Sequence, residues 1–199
     1  MYKITLALLL IALPLSAWGA YDLPTWCLEV APVLLALPFL WLFGKSGRMS
    51  PFLQVFILVH ALILMIGGHY TYALTPLGNW VRDLGIGERN NYDKLGHFYQ
   101  GLMPALLIRE IFLRLGYWKK HPVFLGTLTV LAAGGVSAFY EVLEMTVAVI
   151  MGGSADAFLG TQGYVWDTQT DMAMALTGAL IGVFLLAETH ARSIRALNG

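Results

Sequence analysis

The sequence predicts an all-α membrane protein: a single-domain, polytopic bundle over residues 1–199 with about six transmembrane helices. Two observations carry this. The first is composition: 58% of the residues are hydrophobic and 12% are charged, half the roughly 25% charged fraction of a soluble domain. The second is distribution. The apolar residues gather in runs at 3–18, 25–43, 51–74, 93–115, 122–151 and 167–188, each near or above the ~20 residues that cross a hydrocarbon core.

Each run has its own reading. The first follows Lys3 and ends in Ser16-Ala17-Trp18-Gly19-Ala20. It reads as an uncleaved first helix; a cleavable signal peptide over residues 1–20 is the alternative. The second run contains Cys27, and a lone cysteine excludes an intramolecular disulfide and any cysteine-based metal cluster. In the third, His60 and His69 fall on opposite faces. The fifth is overlong and must tilt or protrude. No soluble domain and no internal repeat interrupts the series.

Orientation follows from Lys and Arg in the short loops. Lys3, Lys45, Arg48, Arg109, Arg114, Lys119, Lys120, Arg192 and Arg195 fall at one set of ends, together with both termini. Arg82, Arg89 and Lys94 fall at the other. Nine against three predicts cytoplasmic termini, with loops 75–92 and 152–166 outside. A net charge of zero gives no reason to propose nucleic acid as a partner.

The informative residues are those a bilayer disfavours, because an ionisable side chain at its centre costs ~2.5–3.5 kcal/mol even on a lenient scale. Asp93, His97, Gln100 and Pro104 form one stripe where the fourth run enters from outside. Gly134, Ser137, Glu141, Glu144 and Ala148 share a face of the fifth, and Asp167 and Asp171 open the sixth. Three helices thus bring these polar side chains to one depth.

We take His97, Glu141, Glu144 and Asp171 as the candidate catalytic set. Asp93, His97, Glu141, Glu144, Asp167 and Asp171 are candidate ligands for a divalent cation, of Mg²⁺ or Mn²⁺ type because carboxylates dominate. Gln100, His69 and Gln162 are accessory candidates. The bland alternatives stay open. Asp93 and Asp167 also fit helix N-caps, and Thr168-Gln169-Thr170-Asp171 has capping-box form. His97 and Gln100 also fit interhelical hydrogen bonding. Arg109 and Glu110 are expected to snorkel or pair locally, and His121 and His190 to be inert.

Asp93-Lys94-Leu95-Gly96-His97-Phe98-Tyr99-Gln100-Gly101, Arg109-Glu110, Phe139-Tyr140-Glu141-Val142-Leu143-Glu144 and the stretch from Leu159 to Met172 resemble the YjdF family of bacterial inner membrane proteins. The likeness spans most of the chain after residue 50. Asp93-Lys94, His97-Phe98, a membrane Glu and Asp171 are more distantly similar to the VanZ-like family, linked to glycopeptide-antibiotic resistance. That family usually carries Asn where this chain has Leu176 or Thr177. The resemblance implies a multi-pass inner membrane bundle with these polar residues, and implies no particular reaction.

The leading expectation is an envelope protein in the lipid bilayer that binds or modifies a lipid or lipid-linked substrate at its periplasmic face. An ion-coupled transporter and a non-catalytic assembly or binding protein are the alternatives. Transporters favour midplane sites and interrupted helices, whereas this polar set lies near one surface. Reporter fusions after Lys45, Lys120 and Arg195 are predicted to read out in the cytoplasm, and fusions after Arg82 and Ser154 outside; the reverse pattern would place the polar set in the cytoplasmic leaflet.

Overall fold

The computed structural model describes residues 1–46, 49–152 and 161–197. Arg48, Ser154, the Leu159-Gly160 pair of the family-like stretch and most of the second predicted outer loop lie outside the described residues. Within them the chain forms α1 (Tyr2–Ala17), α2 (Leu23–Lys45), α3 (Pro51–His69), α4 (Pro76–Asp83), α5 (Tyr92–Arg114), α6 (Pro122–Met151), α7 (Asp167–Leu180) and α8 (Ala187–Arg195). A π-helical turn, Ile181–Leu185, joins α7 to α8.

Length and composition alone allow α2, α3, α6 and α7 with its π turn to cross a membrane. The fourth predicted span, α5, has the length, 23 residues or ~35 Å, but carries the polar stripe that lowers its hydropathy. The shorter α1 has 16 residues.

Local chemistry sets the helix starts. Ser50 caps α3 by accepting the Leu53 N–H, and Asp22 caps α2 by accepting the Thr25 N–H at 2.9 Å. Proline stands in the first turn of α2, α3, α4 and α6, where its missing N–H is no loss. Two ends differ from the sequence reading. The run at 51–74 stops being helical at His69, because Thr71 and Tyr72 take positive φ (54° and 50°) and turn the chain back. The last apolar run is α-helical only to Leu180 before the π turn.

At the centre α3 and α5 pack against each other; α1 and α2 pack on α3, and α6 and α7 pack on α5. The closest approach is between α5 and α7. A Cβ on Gly101 would run into the Ala175 backbone, and one on Gly178 into the Phe98 backbone. Small residues permit such contact where helices associate without a hydrophobic driving force.

At the end of the bundle holding both termini, α5 is tied to its neighbours by a buried ionic knot. Glu110 accepts from the Ser50 N–H and Oγ–H at 2.8 and 2.6 Å, from His190 Nε2 at 2.9 Å and from Arg114 at 2.7 Å. Arg109 bonds His190 Nδ1 at 3.1 Å and the Ala187 carbonyl at 2.9 Å. Of the two alternatives for Arg109 and Glu110, snorkelling is excluded by their 4% and 2% exposure, while Glu110 does pair locally with Arg114. His190 is a correction: it is no idle surface imidazole but a fully buried bridge.

Gly101→Ala and Gly178→Ala are each predicted to destabilise by about 1–3 kcal/mol through backbone overpacking. Gly135→Ala, where an added Cβ meets nothing within 4 Å, is predicted to be neutral or stabilising. Thermal unfolding in detergent reads the difference.

Candidate functional site

Opposite the ionic knot, the first turns of α5 and α7 and the second half of α6 meet. Lys94 is the hub. Its ammonium lies 2.7 Å from Asp167 Oδ1, 2.6 Å from Asp171 Oδ1 and 3.4 Å from Asp93 Oδ2. Arg89, in the loop before α5, adds a second cation to Asp167 Oδ1 and donates to the Thr161 carbonyl at 2.6 Å.

His97 stands one turn beyond Asp93. Its Nε2 faces Asp93 Oδ1 at 3.3 Å and Asp171 Oδ1 at 3.8 Å. Its Nδ1 faces Gln100 Oε1 at 2.8 Å and Glu141 Oε1 at 3.7 Å. Nε2 faces two carboxylates and Nδ1 faces an amide oxygen and a carboxylate, so both ring nitrogens are placed to donate. Glu141 and Asp171 thus sit on either side of one imidazole.

The capping alternatives are not met. The N-cap of α5 is Asn91 and that of α7 is Trp166, neither with a side-chain cap bond. Asp93 and Asp167 lie inside the first turns, where a negative charge suits the helix dipole, and their carboxylates go to Lys94 and Arg89. Thr168 is already inside α7 and therefore caps nothing.

Two accessory candidates lie elsewhere. His69 Nδ1 bonds the Ser16 carbonyl at 2.8 Å, tying α3 to α1, and the ring packs edge-on against Tyr70. It ends α3 and reaches the N-terminal hairpin before it reaches the carboxylates. Gln162 pairs with the Asn90 backbone, donating to its carbonyl at 2.8 Å. It thereby fastens the loop before α7 to the loop before α5, holding Arg89 and Asp167 in register.

Sequence reasoning missed Glu29, Tyr72 and Tyr140. Glu29 on α2 is 4% exposed and accepts from the Tyr140 hydroxyl at 3.5 Å. Its signal was available, since a lone glutamate in the apolar run 25–43 is itself an intramembrane charge. Tyr72 had none, because its inward turn depends on the positive-φ pair after α3.

These groups form one end of a cavity of about 420 Å³ between α2, α5 and α6. Glu29, Asp93, His97, Gln100 and Glu144 line its polar end, and His60 and Tyr72 flank it. Pro32, Leu35, Met103, Phe139, Leu143 and Val147 form an apolar wall. Leu35, Phe139 and Leu143 are also exposed on the bundle's outer surface, so the apolar wall reaches that surface. Among the described residues no Lys or Arg lines it.

Lys94 is the cation that the three aspartates share, and removing one partner of a buried ion pair leaves an uncompensated charge. Lys94→Met is predicted to destabilise by about 3–5 kcal/mol, and Asp167→Asn by clearly less. Chemical denaturation followed by tryptophan fluorescence compares them.

No solved structure matches the chain. Inner membrane protein YjdF of Escherichia coli (strain K12) is 46% identical over 193 residues, covering 96% of this chain and 90% of that protein. The family model described as predicted membrane protein (DUF2238) matches residues 1–192, and the chain belongs to that family.

Proposed function

We propose that this chain is a multi-pass inner membrane protein that binds or modifies a lipid or lipid-linked envelope substrate in the cavity between α2, α5 and α6. Its termini lie in the cytoplasm and the carboxylate end faces the periplasm, by the bias of Lys and Arg. The observation that carries the proposal is the shape of the cavity. A polar end built from carboxylates, an imidazole and an amide continues into an apolar wall that reaches the bundle's outer surface. That is the layout an amphiphile needs: a polar head at the carboxylates and a hydrocarbon tail along Leu35, Phe139 and Leu143. Its volume lies in the range of small-molecule sites, ~300–1,000 Å³.

The chemistry available at the head is proton transfer. His97 touches Asp93, Asp171 and Glu141, and an imidazole held among carboxylates is suited to general acid–base work. The transporter alternative receives less support, because the polar groups collect at one end and the apolar wall reaches the bundle's outer surface.

The test is the lipid that stays with the protein. Full-length protein purified in mild detergent is predicted to retain an amphiphile enriched over its share of the host membrane, as read by mass spectrometry of extracted lipid. Val136→Trp fills the wall from a residue that is 45% exposed and lines the cavity. It is predicted to abolish the enrichment without lowering the melting temperature. Lipid matching the bulk membrane in both proteins would refute the reading.

A further inference from the structure

The polar cluster has two unequal halves. In one, Asp93, Asp167 and Asp171 surround the Lys94 ammonium, and Asp167 also meets Arg89. In the other, no lysine or arginine among the described residues pairs with Glu141 or Glu144, and the nearest basic group is His97, 3.7 Å from Glu141 Oε1. Glu141 is 8% exposed and its Oε1 has no hydrogen-bond partner. A buried carboxylate oxygen without a partner carries a desolvation penalty of about 1–3 kcal/mol or more. Among the described residues Glu144, which borders the cavity, makes neither a hydrogen bond nor an ion pair with another side chain. Two glutamates on the α6 side thus share a single imidazole as their basic neighbour.

We propose that Glu141, Glu144 and His97 hold a divalent cation of Mg²⁺ or Mn²⁺ type, on the side of the cluster that Lys94 does not reach. One carboxylate oxygen from each glutamate and an imidazole nitrogen lie within 4.8 Å of one another. Ligands at 2.0–2.1 Å from one ion stand ~3–4 Å apart, and Glu141 Oε1 to His97 Nδ1 is 3.7 Å. The imidazole is set up for the role. Asp93 faces Nε2 from 3.3 Å, as the carboxylate partner of a ligating imidazole does, and Nδ1, which donates to Gln100 Oε1 at 2.8 Å, would release its proton on binding the ion. Gln100 Oε1, 2.8 Å from Nδ1, supplies a further oxygen donor beside it.

A second triad, Asp93, His97 and Asp171, is equally compact. It is already filled, because Lys94 Nζ sits against both aspartates. Two carboxylates with one nitrogen and an amide oxygen form a hard, oxygen-rich set, which favours Mg²⁺ or Mn²⁺ over metals that select thiolate or several imidazoles. Glu144 lines the cavity, so the ion would face whatever head group enters. On the function proposed above, a phosphate-bearing head would complete its shell. Ion binding itself does not rest on that function.

The test is Mn²⁺ binding to the purified full-length chain, stripped with chelator and lipid-free in detergent, with free Mn²⁺ read by electron paramagnetic resonance. The expected result is saturable binding of about one Mn²⁺ per chain, displaced by Mg²⁺. E141Q and E144Q each weaken it by about tenfold or more, whereas E29Q, in the same cavity but outside the ligand set, weakens it less. E144Q keeps the test sharp, because Glu144 makes no protein hydrogen bond whose loss would unfold the chain. No saturable binding by the unsubstituted protein, or equal affinity in E144Q, overturns the proposal. Because no lipid is present, its failure leaves the amphiphile reading standing, and the reverse also holds.

Discussion

A single ammonium group holds the carboxylate end of this bundle together. Lys94 lies against Asp93 on its own helix and Asp167 and Asp171 on α7. Without it, two helices whose backbones touch at Gly101 and Gly178 would force three carboxylates into one low-dielectric volume. The close packing below and the ion cluster above are therefore one arrangement. Glycines bring α5 and α7 near enough for Lys94 to span them, and Lys94 makes that nearness tolerable for the aspartates. A buried ion network of this kind is weak evidence for stability, since an apolar replacement is often as good. Its persistence points to geometry: it fixes the register of α5 against α7 and so the position of His97.

The two ends of α5 show the same device in different service. At the terminal end Glu110 is satisfied by Ser50, His190 and Arg114 together. Donors answer both of its carboxylate oxygens, and the knot locks α3, α5 and α8. At the other end the pairing is incomplete. Glu141 Oε1 is buried without a partner and Glu144 borders an apolar cavity. Natural proteins rarely leave buried polar atoms unpaired, and the exceptions ask for an explanation in an ion, a water or a reaction. That contrast within one helix bundle separates a structural ion cluster from a candidate site.

Much of this was legible in the sequence. The helix order and most boundaries follow from hydropathy and length. The convergence of Asp93, His97, Gln100, Glu141 and Asp171 follows from helical periodicity together with alternating membrane crossings. What was not legible depended on single backbone events or on pairing between distant segments. Hydropathy ran on through Leu74 while the chain turned back at Thr71, so Tyr72 was unplaceable beforehand. His190 looked inert because its partners, Glu110 and Arg109, are some eighty positions away. His69 belonged to the right end of the bundle by depth, and only packing shows that it faces α1. Glu29 was different: the rule that found the other carboxylates applies to it equally.

Glu29 also changes the character of the site. With it, α2 contributes to the polar end, and Tyr140 joins it to α6 across the cavity at 3.5 Å. Among the described residues α2 and α6 do not pack along their lengths; they face each other across a gap whose apolar wall reaches the bundle's outer surface. A polar cluster that merely fixed helix packing would sit where helices touch. This one extends from a tight α5–α7 contact, where every aspartate meets Lys94, to the edge of a gap that no lysine or arginine among the described residues lines. The charge left over is directed at the space, and on the proposed reading an occupant of that end carries or recruits positive charge.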